Sequence, residues 1–304
     1  MPQVLQRDEL AVWCERWLGA KPTHMLFEVA HLSVVAGLRL TDGREVVVKA
    51  RPPADRIRGC VHVQRHLWAA GFPCPEPLAG PAPMGVLTAT AEAFVSGGMS
   101  LEPGPDSPRL FAEALAELIR LAPSVALVPT LAPPPAWVWW DHDQPGTWPL
   151  PDDRDADLNA HPEPAWLDDV GRRVRRRLQQ CQAPPVVGHA DWEAPNLWWI
   201  DRHLHVVHDW DSIVRGCPSV HDDCGRHTRI RVRTDHHQPS GCLRCHGNLL
   251  GHDPHEGASC PSHGHYALSG MCAFDRQLWS ACSRRGMGSV CVVTVWMYAR
   301  TTTC

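Results

Sequence analysis

The sequence predicts an α+β protein: a small β-rich lobe, then a helical lobe, then an anomalous and poorly patterned C-terminal tail. Three observations point there. Strand-like apolar segments crowd the first part of the chain, and segments with helical periodicity follow them. Beyond Val214 both patterns dissolve. The expected organisation is therefore an N-terminal lobe over 1–95, a second lobe over 96–214, and a tail over 215–304.

Each element has a local reason. Asp8 to Leu18 places Leu10, Trp13, Trp17 and Leu18 on one side of an amphipathic helix. Met25–Ala30 and Leu32–Leu40 read as strands. Thr41-Asp42-Gly43-Arg44 is a hairpin turn, because Asp-Gly supplies the positive φ that such turns need. Glu45 to Ala50 is the returning strand, and a helix from Ala54 to Ala70 is stopped by Gly71 and Pro73. A strand pair spans Pro77 to Val95, and Gly97-Gly98 then loosens the chain. Helices over Ser107–Leu121 and Pro164–Gln182 flank a connection rich in Pro and Trp (Trp137, Trp139, Trp140, Trp148), where packing is the expected role of the rings.

Composition excludes several classes of function. Of 304 residues, 44% are hydrophobic and 20% charged, as in globular rather than disordered chains. A formal net charge of -4 gives no electrostatic case for a nucleic-acid partner, and Arg172 to Arg177 reads as a solvated helix face. No apolar run approaches the roughly 18 residues of a membrane span. The polar start of the chain carries no secretory pattern, so a cytoplasmic location with mostly free thiols is expected. Lysine is scarce. Only Lys21 and Lys49 stand among 29 basic residues, which draws attention to Lys49 at the end of a valine-rich strand.

The segment His189-Ala190-Asp191-Trp192-Glu193-Ala194-Pro195-Asn196 carries H-x-D-x-x-x-x-N, the catalytic-loop spacing of protein kinases and their small-molecule relatives. A short loop can present Asp191 to a hydroxyl while Asn196, one turn along, faces a metal ion. Leu197–Ile200, the turn Asp201-Arg202 and the strand His203–Val207 then form a hairpin. It ends in His208-Asp209-Trp210-Asp211 and returns Asp209 beside Asn196, so oxygen ligands can share Mg²⁺.

His189, Asp191, Asn196 and the paired Asp209-Trp210-Asp211 resemble the motifs of aminoglycoside phosphotransferases, choline kinases and related small-molecule kinases. The resemblance covers Leu18 to Val214. It implies a protein-kinase-like two-lobed fold, ATP with Mg²⁺, and phosphoryl transfer to a hydroxyl on a small-molecule acceptor. Under it Asp191 is the base, with His189 supporting the loop. Asn196 and Asp209 are metal ligands, and Asp211 is either a further ligand or an anchor for the next segment. Lys49 matches the phosphate-binding lysine. The strip containing Glu92 and Phe94 falls where backbone groups would meet adenine. Two departures are visible. Gln64 stands near the place of the helix glutamate that normally pairs with the lysine, and the loop Val29 to Val34 has no glycine.

The tail is compositionally foreign. Only Cys14, Cys60, Cys74 and Cys181 precede Cys217, and the other cysteines fall between Cys217 and Cys304. Cys242-Leu243-Arg244-Cys245-His246 matches the haem-attachment spacing C-x-x-C-H, and His252, His255, Cys260, His263 and His265 have zinc-compatible spacing. Against those readings stands an out-of-frame translation beginning after Val214, which in GC-rich DNA exchanges Ala and Leu codons for Arg, Cys, His, Pro and Ser codons. That account expects an irregular tail without a metal cage. It also offers an alternative function, a catalytically impaired nucleotide-binding protein.

Overall fold

The structure, a computed structural model, describes residues 6–152, 157–160 and 165–216. Helix α1 (Arg7–Leu18) buries Leu10, Trp13, Cys14 and Leu18 at helical spacing. It ends where Gly19 takes φ 75° and its N–H closes on the carbonyl of Glu15. Trp17, expected on the same face, is 41% exposed. The strands β1 (Pro22–Ala30), β2 (Val34–Leu40), β3 (Glu45–Arg51), β4 (Pro77–Met84) and β5 (Leu87–Ala93) form one antiparallel sheet in the order β1-β2-β3-β5-β4. The Asp-Gly turn forms as expected, with Gly43 at φ 86°.

Alternation sorts this sheet into two faces. Val34, Ala36, Leu38, Leu40, Val46, Val48, Ala50, Ala89 and Ala91 are buried and, with the apolar side of α1, make one core. The register pairs Val35 with Lys49, Gly37 with Val47, Lys49 with Thr90, and Val47 with Glu92, so these residues share the opposite face.

Helix α2 (Arg56–Ala69) feeds the second core. Its Cys60, Val63 and Leu67 pack with Phe72, Phe111, Leu115, Leu118, Trp192 and Trp210. A Cβ added at Gly59 would come within 2.8 Å of Thr130 and 2.9 Å of Leu131, so α2 lies directly against the short turn Pro129–Leu131. Although α2 precedes residue 95, its Cys60, Val63 and Leu67 thus belong to the second core.

Helices α3 (Ser107–Leu121) and α4 (Ala165–Gln179) fall where periodicity places them, α4 ending three residues early. Trp137, Trp140 and Trp148 are buried in the second core and Trp139 is 46% exposed, which confirms packing as the main use of these rings. Trp148 also donates its indole N–H to Asp168. Three short strands were not anticipated: β6 (Met99–Ser100), β7 (Val186–His189) and β10 (Ile213–Gly216). They pair as β6-β8-β9 and β7-β10, with β8 (Leu197–Ile200) and β9 (His203–Val207) the expected hairpin. Strands of two to four residues are too short to show alternation.

Among the described residues no helix is long and apolar enough to cross a membrane. The expectations for the tail from Cys217 onward, including Cys242, Cys245 and His246, lie outside the described residues.

Trp192 joins the catalytic-loop segment to α3. It is fully buried and donates Nε1–H to the carbonyl of Phe111 at 3.0 Å. Replacing it by Ala should cost about 3–5 kcal/mol of unfolding free energy in urea titrations. The same change at exposed Trp139 should stay within about 0.5 kcal/mol.

Candidate active site

The β8–β9 hairpin sets the first half of the site. Asp201 and Arg202 carry positive φ (47° and 65°), as a two-residue hairpin turn requires, and Leu197 faces Val207. One step beyond, the N–H of His208 donates to the carbonyl of Asn196 at 2.8 Å, which brings Asp209 alongside Asn196. Asp209 itself lies at φ 62°, ψ 51°, a left-handed conformation uncommon for a non-glycine residue. Its Oδ2 accepts from Ser212 Oγ at 2.7 Å, which helps hold the turn.

The β7–β10 ladder sets the second half. It pairs His189 with Ile213, and the Ala190 N–H donates to the carbonyl of Ser212 at 2.9 Å. His189 is only 2% exposed and stands edge-on to Trp192 and Trp210. Its Nδ1 accepts from the Asp191 N–H at 3.2 Å, so Nε2 carries the proton and donates to the carbonyl of His208 at 3.0 Å. Burial lowers the His189 pKa, which suits this neutral tautomer. His189 therefore links the catalytic loop to the end of the hairpin without facing a substrate. Asn196 donates its Nδ2 to both the carbonyl and Oδ2 of Asp191 at 3.0 Å, leaving its amide oxygen for another partner.

Across the cleft, the Lys49 ammonium contacts Oδ1 of both Asp209 and Asp211. Burial works against a charged lysine, but Asp209 and Asp211 outweigh it and hold the Lys49 pKa well above the ordinary value. Asp211 is also buried, yet Lys49 and then Arg51 hold its carboxyl well below the usual range. Arg51 pairs with Asp211 and donates to Thr90 Oγ1 at 2.8 Å. From α2, Arg56 donates to the carbonyls of Asp211 (2.6 Å) and Ile213 (2.7 Å), and Cys60 lies beside the same two carbonyls. Neither Arg51 nor Arg56 was singled out from sequence. In a chain whose cations are nearly all arginine, their spacing from Lys49 was the available signal and composition masked it.

Gln64 does not reach Lys49, which corrects the expectation of an amide standing in for the helix glutamate. It is buried, one turn beyond Cys60, and donates Nε2–H to Glu92 Oε2 (2.6 Å) and to the carbonyl of Pro75 (3.1 Å). Phe94 packs its ring 6.2 Å from that of Phe27, and a Cβ on Gly37 would strike the Phe27 ring. The N–H groups of Ala93 and Phe94 donate to the carbonyls of Glu76 and Glu45, so these two donors of the strip are engaged within the lobe.

The donor set suits a hard divalent ion. Asp209 and Asp211 each direct an oxygen at one cation, the Lys49 ammonium, and Asn196 is joined to His208, the neighbour of Asp209, through its backbone carbonyl. Among the described residues there is no ready-made group of three or more His, Cys, Asp or Glu ligands.

Burial raises the Glu92 pKa from 4.5 to about 7, against the pull of Gln64 and Lys49. An acid whose folded pKa is raised stabilises the fold fully below its unfolded pKa and loses that contribution as pH rises through the folded value. The stability of the protein minus that of Glu92→Gln should therefore fall between pH 4.5 and about 7 and level off above, measured by urea unfolding at each pH.

Comparison with known proteins gives a family and a set of distant structural likenesses. No curated protein sequence matches this chain. Amicoumacin kinase hAmiN, solved with AMP-PNP, Ca²⁺ and Ami, is 11% identical with a TM-score of 0.42, over 65% of this chain and 61% of that one. This chain thus spans less than two thirds of that kinase. A thermostable mutant of aminoglycoside phosphotransferase APH(4)-Ia, in ternary complex with AMP-PNP and hygromycin B, is 16% identical with a TM-score of 0.42, over 69% of this chain and 74% of that one. Its apo form is 13% identical with a TM-score of 0.46, over 96% and 89%. Likenesses at this distance carry no weight of their own. The family model does, because it matches residues 37–220, more than half of the chain and every site residue described above. The chain belongs to the phosphotransferase enzyme family.

Proposed function

We propose that this protein transfers the γ-phosphoryl group of ATP to a hydroxyl of a small molecule, with Mg²⁺, in the cytoplasm. The observation that carries the reading is the contact of Lys49 from the sheet with Asp209 at the end of the hairpin, which the His208–Asn196 hydrogen bond sets beside Asn196 and, through it, Asp191. Phosphoryl transfer asks the protein chiefly for positioning and for charge of the right sign. Asn196 and His189 fix Asp191 from two sides, so its carboxylate is oriented to take the proton of the acceptor hydroxyl. Asp209 and the Asn196 amide oxygen would hold Mg²⁺, which when bound offsets negative charge on the phosphates. Lys49, released from the carboxylates, would turn to the phosphates. Asp211, already engaged by Arg51 and Arg56, then serves as the anchor of the hairpin end.

A second reading, nucleotide binding without turnover, is favoured by the compositional break after Val214. Translation of the coding DNA across codons 205 to 230 in all three frames separates them. A second frame that continues the amphipathic pattern supports the impaired protein, and its absence supports the enzyme.

Asp191→Ala should abolish ATP-dependent phosphorylation of any accepted alcohol, with nucleotide affinity little changed. Asn196→Ala and Asp209→Ala should instead weaken Mg²⁺-dependent nucleotide binding, read by calorimetry with and without the metal. Near-normal turnover in Asp191→Ala would remove it as the base. Lys49→Ala should reduce affinity for ATP by about tenfold or more while sparing adenosine. Equal losses for both ligands would make Lys49 a structural residue.

A further inference from the structure

Lys49 is held by the two carboxylates nearest the metal position, an arrangement that lasts only while no metal claims them. Once Asp209 turns to a divalent ion, Lys49 needs another acidic partner to stay aimed across the cleft. The residues of α2 beside Asp211 are Arg56 and Cys60, a cation and a neutral thiol that offer Lys49 no negative charge, and Gln64 points elsewhere.

The sheet supplies a candidate. Lys49 lies opposite Thr90, and Glu92 is two residues further along β5, opposite Val47. Lys49 and Glu92 are therefore diagonal neighbours on one face, about 7–8 Å apart at the backbone and within reach of long side chains. Glu92 is fixed rather than adrift. Gln64 is locked by the Pro75 carbonyl and donates to Oε2, which leaves Oε1 as the oxygen to offer. Glu45, on the same strand as Lys49, is drawn outward to Arg39.

Resting on the kinase reading above, we propose that Glu92 is the carboxylate partner of Lys49 in the nucleotide-loaded protein, with Gln64 as the positioning residue that holds Glu92. The acidic half of the lysine clamp comes from a strand, and the helix contributes an amide that braces it. This exchange accounts together for two otherwise separate facts: a neutral residue on the helix, and a carboxylate buried against it in the sheet. Raised toward neutrality by burial, Glu92 tolerates the protonated form while Lys49 is engaged elsewhere, and the approach of the ammonium favours its charged form.

The test is calorimetry on the full chain with two ligands, MgAMP-PNP and adenosine. Glu92→Gln should weaken MgAMP-PNP by about tenfold, the scale of a lost charge-assisted contact, and change adenosine by less than about twofold. The exchange variant Gln64→Glu/Glu92→Gln keeps the same atoms but moves the charge to a helix position that does not reach Lys49, so at a normal melting temperature it should recover little of the MgAMP-PNP affinity. A Glu92→Gln protein that binds MgAMP-PNP normally, or loses both ligands equally, overturns the clamp and leaves the kinase reading standing. So does an exchange variant that recovers most of the MgAMP-PNP affinity, because its charge stands where Gln64 does not reach Lys49. Wild-type protein that binds neither ligand overturns the kinase reading, and the clamp with it.

Discussion

Lys49, Asp209 and Asp211 come from parts of the chain some 160 residues apart, and they meet in a cleft where their side chains are 18%, 25% and 19% exposed. Charges so far withdrawn from water are costly alone, and removing one partner of a buried pair costs roughly 3–5 kcal/mol. The sheet and the hairpin must therefore dock in one way, with the ammonium between the carboxylates. Arg51 adds a second cation to Asp211, and Arg56 satisfies the carbonyls of Asp211 and Ile213. Everything that positions the cleft follows from this closure: the close seat of α2 against the Trp210–Ser212 turn, the β7–β10 ladder, and the direction in which Asp191 looks.

The same charges that join the two cores are the ones a metal and a phosphate chain would engage, so structure and ligand compete for them. Lys49, shared between Asp209 and Asp211, and Arg51 on Asp211 together balance the two carboxylates, which limits the repulsion between them. The strain at Asp209 fits this picture. Its left-handed backbone is held by Ser212 and by the hairpin register, and it turns the carboxylate toward the cleft instead of back along β9. His189 has the complementary task. Neutral and enclosed by Trp192 and Trp210, it ties the Asp191 backbone to His208, so that Asp191 and Asp209 share one rigid support.

The parts of this site that were legible in sequence are those whose geometry is local. His189, Asp191 and Asn196 lie within eight residues, and the hairpin that follows has its own turn signal and apolar strands, so spacing alone carries Asp209 back beside Asn196. Lys49 stood out because lysine is rare in this chain. Element type was likewise determined by local pattern, from the period of α1 and α3 to the alternation of β2 and β3.

Partnership was decided only in three dimensions. Gln64 was correctly placed on a helix near the lysine, yet one turn along α2 carries a side chain about 6 Å further down the same helix face, from Asp211 at Cys60 to Glu92 at Gln64. Arg51 and Arg56 became part of the site because β3 meets the Asp211 carboxylate and α2 the carbonyls of Asp211 and Ile213, contacts across more than 150 residues of chain that no spacing rule encodes. Sequence by itself determined which residues are the candidates for the chemistry and which elements hold them. The tertiary structure decided which charges face each other, because the energy of a buried ion depends on distance and burial and not on separation along the chain.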